Sequence, residues 1–142
     1  MSAGYSYRDC AAGVGIDAQG KSFEQVCEQA ALALFGLEAH LATVLPERGF
    51  ELEFAAIDPV VDARAWLERL LAHARLADLV LCAARLTRAG DRWRGEAWGM
   101  PWRGGGRARV RGLEARDFTL RRDGKRWHLH CVALLEQPLR PA

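Results

Sequence analysis

Apolar residues recur at helical spacing over residues 22–35, where Phe23, Val26, Cys27, Ala30, Ala31 and Leu34 make one stripe. Ser22 precedes the stripe and Gln25 follows three residues later, a capping box that predicts the helix start. Gly36 predicts its stop. A second stripe of Trp66, Leu67, Leu70, Leu71 and Ala74 predicts a helix over 62–77, with Asp62 as N-cap. Elsewhere the period is two. Phe50, Leu52 and Phe54 oppose Glu51 and Glu53. Residues 93–99, 107–113 and 117–120 read as strands, and Asp123-Gly124 reads as the hairpin turn leading into 127–135. There Trp127, Leu129, Cys131 and Ala133 share a face. The apolar run 79–84 suits a central strand, with a helical continuation as the alternative. The pattern predicts one α+β domain over 1–142, a mainly antiparallel sheet with two helices packed on one face.

Half of the 142 residues are apolar and 27% are charged, a globular composition. No apolar run is long enough for a membrane span, so no membrane is expected. Arg8, Asp9 and Asp17 interrupt any basic-then-apolar leader, and the expected location is the cytoplasm. Cys10, Cys27, Cys82 and Cys131 contain no CxxC pair, which excludes a zinc ribbon. Without an export signal, free thiols are favoured over two disulfides.

Charge is uneven. Residues 1–83 carry net −6 and residues 84–126 net +8. A basic stretch of this kind suits phosphate or an acidic protein face, although eighteen Arg against two Lys indicates codon bias. Gly104-Gly105-Gly106, between Arg103 and Arg107, reads as a hairpin loop and lacks the spacing of a phosphate-binding P-loop. His128 and His130 share a strand face as a candidate metal pair, against the plainer reading of two solvated side chains. Trp66 and Trp127 lie on core stripes. Trp93, Trp98 and Trp102 are the better candidates for exposed rings that stack on nucleic acid.

The N-terminal segment carries more specific information. Tyr7-Arg8-Asp9-Cys10-Ala11-Ala12-Gly13-Val14-Gly15-Ile16, then Gly20-Lys21-Ser22-Phe23-Glu24, then Ala30-Ala31-Leu32-Ala33-Leu34-Phe35 run without a gap over about 29 residues. This order resembles the opening of the archease family, with its D-H-T-A-D-[IV]-G-I strand, G-K-[ST]-[LF]-E-E turn and N-A-A-x-A-[LM]-F helix end. Trp66-Leu67-Glu68-Arg69-Leu70-Leu71 is similar to the family's W-L-N-E-L-L. Gly99-Met100-Pro101 sits where the family has G-E-P, and Val110-Arg111-Gly112 resembles its V-K-A.

The resemblance implies a small cytosolic protein that assists a GTP-dependent tRNA-splicing RNA ligase, with a chaperone role toward a tRNA methyltransferase also proposed for the family. It implies a divalent cation held by the two aspartates of D-H-T-A-D and one near the C-terminus. Only Asp9 keeps a ligand. Cys10, Ala11 and Gly13 replace His, Thr and the second Asp, and Leu134 replaces the third, with Glu136 two residues on as a substitute. Calcium or magnesium prefers several oxygen donors, so binding is expected to be weak or lost. Asp9, Cys10, Arg111 and Arg116 then mark a partner-contacting tip, Arg116 standing where the family's Y-H pair has histidine. The expected function is non-enzymatic assistance of RNA ligase through protein contact. The alternative is a diverged module with another partner, or one contacting RNA directly through Arg103 to Arg111. A small hydrolase using Asp9, Cys10 and His128 or His130 ranks last.

Overall fold

The computed structural model describes residues 3–103 and 108–136. Strand β1 (Gly4–Asp9) turns into β2 (Val14–Gly20), and helix α1 (Phe23–Glu38) follows. After a 3-10 turn come β3 (Arg48–Ala55), α2 (Pro59–Leu76), β4 (Leu79–Ala89), β5 (Arg92–Pro101), β6 (Val110–Asp123) and β7 (Arg126–Leu135). The α+β reading holds. The strands divide into two antiparallel sheets, ordered β1-β2-β7-β6 and β3-β5-β4.

Helix α1 packs against both β2 and β4 and so joins the two sheets. Its predicted stripe is buried throughout. Ser22 Oγ accepts from Gln25 N (3.0 Å), and Gln25 Oε1 accepts from Lys21 N (2.6 Å). The helix does not stop at Gly36. A Cβ there would lie 2.6 Å from the Tyr7 hydroxyl, which donates to Ala33 O. Gly36 therefore admits the ring of β1. The helix continues to Glu38, whose buried carboxylate accepts from Val110 N and pairs with Arg109.

Helix α2 starts four residues earlier than expected from an Asp62 cap. Asp58 is the N-cap, accepting from Val61 N (3.1 Å), and Pro59 follows at the first helical position. Asp62 is only 4% exposed and accepts from Ile57 N and from Trp93 Nε1, 2.9 Å each. That bond corrects the expected exposure of Trp93, which is 5% exposed. Trp98 and Trp102 are half-buried.

The apolar run 79–84 belongs to β4, an edge strand rather than a central one. Its hydrophobicity reflects cover by α1, and Glu28 of that helix accepts from Leu86 N (2.8 Å). Burial pushes the Glu28 carboxyl above its usual range. The two strands expected over 107–120 form one strand, β6, with an irregularity between Leu113 and Phe118. The expected loop at Gly104-Gly105-Gly106 lies outside the described residues. All four cysteines are free thiols, with Cys27 and Cys131 buried.

Candidate functional site

The N-terminal motif is not one strand. It breaks at Cys10–Gly13 into a hairpin tip. Cys10 N donates to Gly13 O (3.0 Å) and Gly13 N to Cys10 O (3.3 Å), closing the turn just beyond the last ladder pair, Asp9–Val14. A Cβ at Gly13 would overlap the Ala133 carbonyl oxygen of β7, so the turn lies directly on that strand. At Gly15 a Cβ would meet Cys10 Sγ at 2.7 Å. The thiol thus folds back over β2, while Asp9 is exposed.

The row Asp9–Val14–Ala133–Leu113 crosses the four-stranded sheet and sets one end of it. Arg111 and Arg116, both exposed, lie at this end on β6, the opposite edge from Asp9. Three strand spacings make that separation roughly 14 Å. Arg116 sits in the irregular stretch of β6, where the Glu114 carboxylate accepts from Arg116 N (2.8 Å) and Asp117 N (2.7 Å). Those two N–H groups hold the Glu114 carboxyl below its usual range. Glu136 is drawn away from Asp9. Its N–H donates to Arg109 O, and its carboxylate pairs with Arg75 of α2.

Sequence reasoning missed a chain of side chains on the outer face of this sheet. Arg8 donates twice to Asp17 (2.9 and 2.8 Å), Asp17 Oδ1 lies 3.0 Å from His130 Nδ1, and His130 Nε2 lies 3.1 Å from Asp117. The chain takes one residue from each strand in sheet order: β1, β2, β7, β6. The Arg8 hydrogen bonds, then the His130 contact, hold the Asp17 carboxyl below its usual range. Both ring nitrogens of His130 face carboxylates, Asp17 on one side and Asp117 on the other. His128 and His130 therefore do not present two available nitrogens to a metal. A shallow depression of about 270 Å³ beside them includes Arg8, Asp17, Thr119, Arg121, His128 and His130. The sequence signals were the shared strand face of His128 and His130 and Asp17 alternating with Ile16 and Ala18, which mark the outer face without naming its neighbours.

The divalent cation implied by the resemblance does not fit these residues. Asp9 supplies one carboxylate, position 13 has neither a side chain nor room for one, Leu134 is apolar, and Glu136 is paired with Arg75. Among the described residues no three His, Cys, Asp or Glu side chains converge as a metal site.

The fold and tip define a small α+β protein of two antiparallel sheets joined by a helix, presenting its motif residues along one open end. The Archease protein family (MTH1598/TM1083) matches residues 5–133, and the chain belongs to that family. Protein 1598 of Methanobacterium thermoautotrophicum has a similar fold, at TM-score 0.70 and 22% identity, over 94% of this chain and 99% of that one. An archease of Thermotoga maritima, described as a possible chaperone, aligns at TM-score 0.66 and 14% identity, over 89% of this chain and 93% of its own. No curated protein matches. No helix among the described residues is long and apolar enough to cross a membrane.

Proposed function

We propose that this archease is a non-enzymatic accessory factor or chaperone, assisting a GTP-dependent tRNA-splicing RNA ligase in the cytoplasm through protein contact. The family match over residues 5–133 carries the reading. The exposed Asp9, with Arg111 and Arg116 along the same sheet end, supplies both signs of charge for a polar contact. Cys10, folded against Gly15, shapes the turn. A tip with one available carboxylate acts as a contact surface and binds calcium or magnesium weakly at most.

The test adds purified protein to a purified GTP-dependent RNA ligase and measures guanylylation and multiple-turnover joining. Stimulation is expected, and Asp9→Ala with Arg116→Ala should reduce it at least tenfold without changing the melting temperature. Absence of stimulation overturns the reading. The alternative of RNA held by Arg103 to Arg111 is weakened because the Arg109 side chain is only 11% exposed and is committed to Glu38 and Asp78.

A further inference from the structure

At the other end of β2, six residues and roughly 20 Å from the Asp9 turn, two concavities lie side by side. The first is a cavity of about 300 Å³ with Phe23, Trp93 and Trp127 in its wall. Phe23 lies 5.0 Å from the Trp93 ring and 5.7 Å from that of Trp127. Two guanidiniums lie over these rings, Arg88 at 5.1 Å over Trp93 and Arg122 at 5.6 Å over Trp127. The second is an open cleft lined by Lys21, Arg122, Asp123, Lys125 and Arg126. Arg122 lines the cleft and lies over Trp127, which lines the cavity, so the two adjoin at that pair.

We infer that this junction binds a nucleotide unit, the base entering the aromatic cavity and the phosphate lying in the basic cleft. The cavity is at the small end of ligand pockets and suits one base with its sugar. Phe23 and Trp93, 8% and 5% exposed, form the cavity's packed floor, while the half-buried Trp127 ring and the Arg122 guanidinium over it offer the stacking and cation–π contacts that hold bases without reading sequence. The carboxylates in its wall are engaged, Asp62 by Ile57 N and Trp93 Nε1, and Asp58 by Val61 N. The cleft sets four cations against Asp123 alone. Arg122 and Arg126 are oriented by Gly124 O and Gln19 Oε1, and the Lys21 and Lys125 side chains are exposed. Exposed Ile57, Val60 and Val61 beside the cavity suit an apolar peptide anchor instead, but they do not account for the four converging cations. The site is distant from the proposed ligase-contacting tip, and its test is independent of the ligase.

The experiment titrates the folded protein with AMP, with a single-stranded decaadenylate and with a nonapeptide of one tryptophan flanked by glutamates. Labelled-ligand anisotropy is read at 50 and 200 mM salt, and protein tryptophan quenching is followed for the two nucleotide probes. Saturable AMP or decaadenylate binding is expected, weakened at least tenfold by Lys21→Ala with Lys125→Ala. For decaadenylate, a single strand, the slope of log affinity against log salt should fall in magnitude by about 1.4 in the double variant. Binding of AMP alone identifies a free nucleotide as the source, whereas binding of the decamer without AMP identifies a single strand. Trp127→Leu should abolish binding, and the lysine pair, on exposed sites, keeps the test decisive if that variant does not fold. Absence of nucleotide binding, binding indifferent to the lysine pair, or saturation by the acidic peptide alone overturns the inference.

Discussion

Trp66 is the largest fully buried side chain, at 0% exposure. Its indole reaches from α2 across to both α1 and β5. Nε1 donates to Cys27 O (3.0 Å), and a Cβ added at Gly95 would overlap Cζ3 of the indole. Trp66→Ala removes the ring from a site walled by helix and sheet backbone, which cannot collapse far. Large aromatic truncations of this kind cost about 3–5 kcal/mol. A domain of this length has a total stability of about 5–15 kcal/mol, so the loss is a large share of the whole. At about 4 °C per kcal/mol, it should lower Tm by roughly 12–20 °C. Gly95→Ala should cost about 1–3 kcal/mol through overpacking against the ring. Because the two changes occupy one space, the double variant should be more stable than the sum of the singles predicts, by at least about 0.5 kcal/mol. Urea denaturation with constant m is the assay. A Trp66→Ala cost below about 1.5 kcal/mol, or additive singles, would refute the assignment of Trp66 as the member that Gly95 accommodates.

Gly13→Asp should destabilise the fold by about 1–3 kcal/mol rather than restore a metal site, because its Cβ collides with Ala133 O; calcium titration calorimetry of the variant and the wild type should find no micromolar site. Arg109→Ala strands the buried Glu38 carboxylate and should cost about 3–5 kcal/mol, whereas Arg111→Ala, on an exposed side chain, should stay within about 0.5 kcal/mol; thermal melts compare them. Asp17 is held below its usual range, so its contribution is present above the ordinary carboxylate pKa and disappears as pH falls through the lowered one. Urea midpoints of wild type and Asp17→Asn should therefore differ at pH 6 and converge in acid. Burial raises Glu38, and the sign reverses: the stability of wild type relative to Glu38→Gln should decline as pH rises through and above the usual carboxylate range.

Local periodicity determined both helices, the inward faces of Leu52–Phe54 and Leu129–Ala133, and the α+β class, because each depends on neighbours at fixed spacing along one element. The N-terminal motif likewise determined the family, since its spacing needs no fold to be seen. Boundaries and pairings were decided by tertiary contacts. Helix α1 passes Gly36 because Glu38 finds Val110 and Arg109, which are distant in sequence. Trp93 is buried because Asp62, one turn inside α2, takes its indole N–H. The run 79–84 looked central because an alternation pattern records how much of a strand is covered, not whether strand or helix covers it. The candidate tip shows the same division. The replacements at Cys10, Gly13 and Leu134 were legible residue by residue. Only strand order put Asp9 on one edge and Arg111 and Arg116 on the other, turned Glu136 toward Arg75, and aligned Arg8, Asp17, His130 and Asp117 across the sheet. Lys21 and Arg122, a hundred residues apart in sequence, come to line one cleft because β2 and β6 both flank β7. Long-range pairing brings such side chains together, and one-dimensional spacing carries no record of it.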